Sequence, residues 1–449
     1  DSKNQLINVI KNELGNFFDF NNREFNISSS FNVFLLGIFL LASAPAIAFL
    51  ILLLPILSGL KNNYENLKKD NLNYILILAG FIMISKSIIT SLGGTSEITN
   101  WDPLLNWAGL ANWIPHFFIY FGAQLYVQNP TQRSLLAKAL ILGTIPVIFS
   151  CLSQYFLEWY GPYKLFNGFI VWYQRSRTDI NTPVTGLFNN PNYAGAWLAM
   201  TWPFLISYLS QKRKEGNKLK YLIVFFLSIL FIFSISLINS RGAFLGILAS
   251  IPLMFGQGVI IWFLPLVMII FAAIVICALP IPPENVKNIF CFLIPNNILS
   301  NFNDLSLTYE NLSRFVIWEK AINLILDKPF FGWGAASFPI LYFTQYQEWK
   351  WHPHNLFLEL SISYGLITSI LVFIFIGTLL YRTSKKIYKS KIKNNYYEKA
   401  WWTSTIIFLI LHSFDIVYFD ARISIIFWIL LAGLKGVLDH PKNIESIKT

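Results

Sequence analysis

Charge is scarce in this chain. Only 13% of its 449 residues are Asp, Glu, Lys or Arg, where a soluble globular domain carries about 25%, so a water-exposed fold of this length is excluded. Cysteine is scarcer still. Cys151, Cys277 and Cys291 are too few and too irregularly spaced for a disulfide framework or a thiolate metal centre. Cys277 and Cys291 flank the start of the longest polar interval and are expected to be separate buried thiols. Among the five histidines only His352 and His354 stand close together, and no other ligand cluster has matching spacing, so no metal and no cofactor are expected. The net charge is +11, but the bases are not gathered on one soluble face, which excludes a nucleic-acid partner.

What the chain has in quantity is apolar length. Hydrophobic residues make up 55% and the mean hydropathy is +0.52, in runs of about 20 residues, each enough to cross a bilayer. The bases fall in loops on alternate sides of these runs: Lys61, Lys68 and Lys69, then Arg133 and Lys138, then Lys212 to Lys220, then Arg382 to Lys393. That alternation is the positive-inside pattern. The first apolar run begins only near Phe31, so no cleavable signal peptide is expected.

The pattern predicts an all-α polytopic membrane protein. Residues 1–30 read as an N-terminal cytoplasmic or interfacial segment, with Phe17, Phe18 and Phe20 on one weakly amphipathic face. The run from Phe31 to Leu60 is too long for one straight span. It admits two short helices turning at Ala44-Pro45-Ala46, the favoured reading, or one long helix kinked there. Further spans are expected near 73–92, 104–127, 135–157 and 187–209, then in a hairpin from 221 to 255, then at 259–279. Three more follow, from His354 to about Leu380, from Trp401 to Phe419 and from Ala421 to Leu438. Counted this way there are about 12 transmembrane helices, nine within residues 31–280 and three within 354–438. A large outer, periplasmic loop occupies 281–353, and 439–449 form a cytoplasmic tail. Inside the loop, Asn311 to Leu326 has apolar residues at helical spacing. Some 70 residues between two spans is far more than a connection requires, which points to the loop as the functional part.

Several residues at the outer boundary can carry chemistry. Arg241 sits in a tight Ser-Arg-Gly turn between two apolar helices. Snorkelling would need no such turn, so a fixed cation for a phosphate is favoured. Arg314 in the loop is uninformative alone, but with Arg241 it can clamp a diphosphate by bidentate hydrogen bonds. His354 stands at the outer mouth of a span, where an imidazole can take a proton from a hydroxyl near neutral pH. His352 is closer to a packing residue on Trp349 and Trp351, and Asn355 follows the pair. Asn192, in Asn189-Asn190-Pro191-Asn192, is more readily a helix cap than a ligand contact. Asp415, Asp420 and Arg422 face outward and read first as an Asp–Arg pair bracing the last hairpin and only second as substrate contacts. Arg175 and Arg177 are expected to be solvated, with a possible steering role toward anions.

In this order the motifs resemble the O-antigen ligase superfamily. The matching pieces are Ser240-Arg241-Gly242-Ala243-Phe244-Leu245-Gly246, Ser313-Arg314-Phe315-Val316-Ile317-Trp318, and Pro329-Phe330-Phe331-Gly332-Trp333-Gly334. They continue with His352-Pro353-His354-Asn355-Leu356-Phe357-Leu358-Glu359-Leu360 and Gly365, and with the weaker Gly186 to Asn192 and Phe419-Asp420-Ala421-Arg422. The resemblance covers roughly Gly186 to Leu438. It implies a GT-C-like, metal-independent, inverting glycosyltransferase of the bacterial inner membrane that takes a polyprenyl-diphosphate-linked glycan, undecaprenyl diphosphate being the typical carrier. The reaction belongs to the periplasmic face, among membrane lipids. It implies that Arg241 and Arg314 bind the donor diphosphate and that His354 is the catalytic base, with His352, Asn355, Asn192, Asp420 and Arg422 as supporting residues. The acceptor hydroxyl would be lipid A-core in a ligase, as in lipopolysaccharide biosynthesis, a growing glycan in an O-antigen polymerase, or a protein in an O-oligosaccharyltransferase. The His motif and the single large loop look most like the ligase branch. Some relatives carry a bicarbonate-transport label instead. A transporter should place charges or broken helices near mid-membrane, whereas the notable charges here collect at the outer boundary.

Overall fold

The computed structural model describes residues 25–92, 98, 101–179, 182–256, 269, 313–388 and 396–440. Helices dominate them. The initial apolar run forms two helices, α1 (Phe25–Leu40) and α2 (Pro45–Asn62), packed against each other with the turn at Leu41–Ala44. Pro45 explains the break: at the first helical position it lacks only an N–H that would have had no partner. Next come α3 (Tyr64–Lys69), α4 (Asn71–Leu92), α5 (Leu105–Leu110), α6 (Ile114–Ala123) and α7 (Pro130–Phe156). The span expected as one helix over 104–127 is therefore two pieces, broken at 111–113. After α7 comes a small antiparallel hairpin, β1 (Tyr163–Leu165) and β2 (Ile170–Trp172), which Trp172 pins to the α1–α2 turn by donating to Ser43 O at 2.8 Å.

The chain continues through α8 (Pro191–Lys214), α9 (Lys218–Ile238), α10 (Arg241–Phe255), α11 (Ser313–Asp327), α12 (Phe338–Tyr346), α13 (Leu356–Tyr388), α14 (Tyr396–His412) and α15 (Ala421–Asp439). Among the described residues, α2, α4, α7, α9, α13 and α15 are long and apolar enough to cross a membrane, and the protein is an all-α polytopic membrane protein. The expected span at 259–279, Cys277, Cys291 and most of the large loop before residue 313 lie outside the described residues.

The helix starts follow local chemistry. Asn129 and Gln132 form a reciprocal capping box at α7, and Asn190 and Asp420 cap α8 and α15. The helices α8 and α15 are buried almost all round, which suits apolar helices at the centre of a bundle. Small residues set how closely α10 approaches. A methyl group on Gly246 would sit 2.9 Å from Ile407 of α14, and one on Gly242 would sit 3.2 Å from Leu411. Close backbone approach of this kind is how helices associate where lipid removes the hydrophobic drive.

The basic loops collect at one end of the bundle. There Arg133, buried, makes a two-pronged ion pair with Glu398 at 2.6–3.1 Å, Lys435 meets Asp70 at 2.9 Å and Lys386 donates to Leu438 O at 2.9 Å. At the opposite end a second, smaller core caps the bundle. It joins Ile317, Ala321, Leu324 and Ile325 of α11 to Phe338, Leu341 and Tyr342 of α12, with Trp101 and Ile362. The helix predicted over Asn311 to Leu326 is thus present as α11, but it buries Ile317, Ala321, Leu324 and Ile325 in the cap and leaves Phe315 and Ile322 of the predicted apolar face exposed.

This cap is joined to the bundle through a broken helix. Within α13, Gly365 has φ 87° and ψ 163°, so Leu356–Tyr364 and the 23 residues that follow Gly365 are separate helical pieces. The break strands backbone groups, and the Pro329–Gly334 motif pairs with them. Trp333 N donates to Ile362 O at 2.7 Å, Gly334 N to Ser363 O at 3.1 Å and Leu366 N to Pro329 O at 2.7 Å. Unpaired backbone groups in such a place cost several kcal/mol each, so the motif is a plug for the break. A methyl group on Gly365 would lie 2.0 Å from Phe330 O, in a backbone region side chains avoid. Gly365→Ala is expected to destabilise the protein by about 1–3 kcal/mol or more. Gly377→Ala, which meets nothing within 4 Å, should leave it unchanged, and thermal unfolding of the two purified variants in detergent compares them directly.

Candidate active site

Five segments far apart in the chain converge at the capped end. The first is the start of α8. Asn190 Oδ1 accepts from Asn192 N at 2.8 Å and so performs the capping expected of this motif, which leaves the Asn192 side chain to other partners. Asn192 Nδ2 donates to Asp415 Oδ2 at 2.8 Å, and Ser240 Oγ donates to Asn192 Oδ1 at 3.0 Å. The second segment is thus the turn between α9 and α10, where Asn239 takes a left-handed φ of 51° and Arg241 opens α10 at the surface. Ser240 lies so close to α8 that a methyl group on Gly195 would come within 2.8 Å of its Cβ.

The third segment is the loop before α13. His354 has a φ of 54°, a strained value for a residue with a side chain, and such strain is most often found at functional sites. Its Nδ1 lies 3.2 Å from Asp415 Oδ1. A carboxylate can only accept, so Nδ1 carries a proton, and in the neutral ring the lone pair is on Nε2. Asn355 holds this loop from both sides. Its Oδ1 accepts from Phe357 N and Leu358 N at 3.0 and 3.2 Å, and its Nδ2 donates to Ser413 O at 3.4 Å. The fourth segment, the loop between α14 and α15, brings Asp415 itself, fixed further by Ile416 N at 2.9 Å.

The fifth segment is α11. Its Trp318 ring leans on Phe414 at 6.4 Å between centroids, and Arg314 lies one turn earlier. Electrostatics place Arg314 within the cluster. Burial and the neighbouring Arg241 guanidinium lower its pKa, while the Asp415 carboxylate opposes the shift. Burial alone would raise the Asp415 carboxyl, but the His354 hydrogen bond, the two histidines and the Ile416 amide hold it below the ordinary carboxylate value.

His352 is a different kind of histidine. Its ring stands 4.3 Å from that of His354, and its Nδ1 accepts the backbone N–H of His354 at 3.3 Å. Burial above all, then the neighbouring His354 ring, push it down to about 4, with Asp415 pulling upward and Arg314 adding to the lowering. It is neutral at pH 7, so its 3.9 Å approach to Asp415 is no ion pair there. His352, His354 and Asp415 do bring three ligand-type atoms within 4.8 Å of one another. The chemistry fits a cation poorly. With Nδ1 of His352 accepting, the neutral ring carries its proton on Nε2, the nitrogen a metal would need, and two guanidiniums lie alongside.

The structure therefore brings His354, Arg314, Arg241, Asn192, His352 and Asn355 together. Asp420 and Arg422 do something else. They pair with each other at 2.5–2.8 Å, and Arg422 also reaches Ala42 O and Leu187 O at 3.4 Å and lies over the Phe188 ring. That is a brace tying the last hairpin to the α1–α2 turn and to the entry of α8. Sequence reading named Asp415 with Asp420 and Arg422 as outward-facing and Ser240 in the turn before Arg241, but gave neither its partner. Ser240 meets Asn192 across 48 residues, and Asp415 meets His354 and Asn192, 61 and 223 residues away.

An all-α bundle that gathers a histidine–aspartate pair and two arginines at its capped end defines the class: a polytopic membrane protein with a cluster of polar residues at that end. Residues 223–373 match the model of the O-antigen ligase family (Wzy_C), the family that the ordered motifs resemble. It is 26% identical over 292 residues to a Rickettsia conorii protein whose name assigns it provisionally to polysaccharide ligation, a match covering 62% of this chain and 61% of that one. It is 29% identical over 211 residues to the ComP-specific O-oligosaccharyltransferase of Acinetobacter baylyi, covering 44% of this chain and 36% of that protein. The chain thus spans less than two thirds of the length of either relative.

Proposed function

We propose that this protein transfers a glycan from a polyprenyl diphosphate to an acceptor hydroxyl, by inversion and without a metal. The observation that carries the reading is the His354–Asp415 pair set beside Arg314 and Arg241. His354 Nε2 takes the proton of the acceptor hydroxyl as that oxygen bonds to the anomeric carbon. The carbon–oxygen bond to the diphosphate breaks, its electron pair stays on the phosphate oxygen, and the two guanidiniums stabilise that charge as it develops. Asp415 orients the imidazole and stabilises the imidazolium. Asn192 holds Asp415 and is itself held by Ser240, while Asn355 holds the loop that carries His354. The bases at the other end of the bundle support a cytoplasmic location for that end and a periplasmic face, in the inner membrane, for the site.

The acceptor is proposed to be lipid A-core oligosaccharide. A protein hydroxyl is the second reading, favoured by the name of the Acinetobacter relative. Transport has less support. The helix breaks at 111–113 and Gly365 lie beside the outer cap, where Gly109 abuts Ala335 and Gly365 abuts Phe330, and not at mid-bundle. Chromosomal deletion followed by analysis of lipopolysaccharide and lipid-linked glycans tests the proposal. Loss of long-chain lipopolysaccharide with accumulation of polyprenyl-linked polymer is expected. Accumulated single repeat units would instead identify a polymerase, and loss of glycosylated protein an oligosaccharyltransferase. Unchanged glycans of every kind would overturn the reading.

A further inference from the structure

The basic end of the bundle, remote from the histidine site, contains a cavity of about 680 Å³ bounded by the end of α2, α3, the short turn after α6 and the end of α15. It is unusual in its lining. Five carboxamides face it, from Asn63, Asn66, Gln124, Gln128 and Asn129, together with Lys69, Lys435, Asp70, Asp439 and His440. Gln124 is only 8% exposed and its Nε2 has no hydrogen-bond partner. A buried amide donor left in this state costs about 1–3 kcal/mol, which argues that something else satisfies it. A water or two would suffice for the amide alone, at about 30 Å³ each, but the cavity is many times that size.

The charges narrow the occupant. Lys435 donates to both oxygens of Asp439 at 2.5 and 2.6 Å and lies 2.9 Å from Asp70 Oδ2, which accepts no hydrogen bond among the described residues. Two carboxylates thus share one ammonium, which leaves one negative charge in excess, and Lys69 brings a separate positive charge to the wall. An anionic ligand would face that excess carboxylate, and a simple cation would face Lys69. A ligand carrying one charge of each sign matches both. The exposed rings of Tyr64 and Tyr74 nearby on α3 and α4 mark this level as the membrane–water interface, where such rings settle.

We infer that this cavity binds the zwitterionic headgroup of a membrane phospholipid, with its phosphate toward Lys69 and the Gln124 amide and its ammonium toward Asp70 and Asp439. The full chain, purified in mild detergent and washed, would be probed by native mass spectrometry and by thermal unfolding with added dioleoyl-phosphatidylethanolamine or dioleoyl-phosphatidylglycerol. The wild type is expected to retain one phosphatidylethanolamine and to unfold at a higher temperature when that lipid, but not phosphatidylglycerol, is supplied. Gln124→Met, which keeps the volume and removes the donor, and Lys69→Gln, at an exposed position, should each lower occupancy by about fivefold or more, the effect of one lost hydrogen bond. Should Gln124→Met fail to fold, Lys69→Gln carries the test alone. Equal or preferential retention of phosphatidylglycerol, no retained lipid, or occupancy unaffected in the folded variants would overturn the inference.

Discussion

Replacing His354 with alanine is expected to lower glycan transfer by about a hundred- to ten-thousand-fold, the range lost with a general base, while the protein still inserts and folds. The imidazole is the group in the cluster with both a free lone pair and a fixed orientation, because Asp415 at 3.2 Å holds the Nδ1 proton. His354→Gln separates chemistry from structure. Glutamine retains an N–H for Asp415 and tolerates a local hydrogen-bonded turn, yet supplies no base, so it should be as inactive as alanine. Asp415→Asn should lose less than His354→Ala and should change the pH profile of transfer, since its partner imidazole would lose the carboxylate that sets its tautomer. The assay is transfer from a polyprenyl-diphosphate donor by purified protein in lipid nanodiscs. Wild-type rates for His354→Ala would remove the base from the proposal.

The second large effect is expected at the arginines. Arg241→Ala and Arg314→Ala should each reduce turnover by about a hundred- to a thousand-fold, the scale of losing one donor to a developing oxyanion. Lysine should restore little at either position. A guanidinium presents a planar fork that meets two phosphate oxygens at once, whereas an ammonium is a single point of charge. The two effects should not add, because both groups act on one leaving group. Arg314 shows its part in its surroundings: the Arg241 charge adds to the lowering of its pKa by burial. The Asp415 carboxylate opposes both influences, and a bound diphosphate would add negative charge beside the two guanidiniums. Accordingly, the variants should lose kcat as well as affinity. A loss confined to KM would show that the arginines bind the donor equally in its ground state and transition state.

Much of this architecture can be read from local pattern. Apolar runs, the loops of lysine and arginine between them and the amphipathic stretch now seen as α11 are properties of neighbouring residues, and bilayer thickness and helix period act on neighbours. The turn carrying Arg241 and the position of His354 before an apolar run were legible for the same reason. Three features were not. The break in α13 at Gly365 looks from its sequence like one glycine in an apolar helix, and it becomes a break because Pro329–Gly334 supplies the missing hydrogen bonds. The span over 104–127 divides where the cap packs on it, with Gly109 against Ala335. Asp415 was legible as an outward-facing carboxylate, but not its pairing with His354 and Asn192. Hydrophobic periodicity sets which segments become helices and which end of each is basic. The packing of α8, α10, α11, α13 and α14 decides which polar side chains from those helix ends meet. Such meetings depend on contacts between residues tens to hundreds of positions apart, and no local pattern in the chain encodes them.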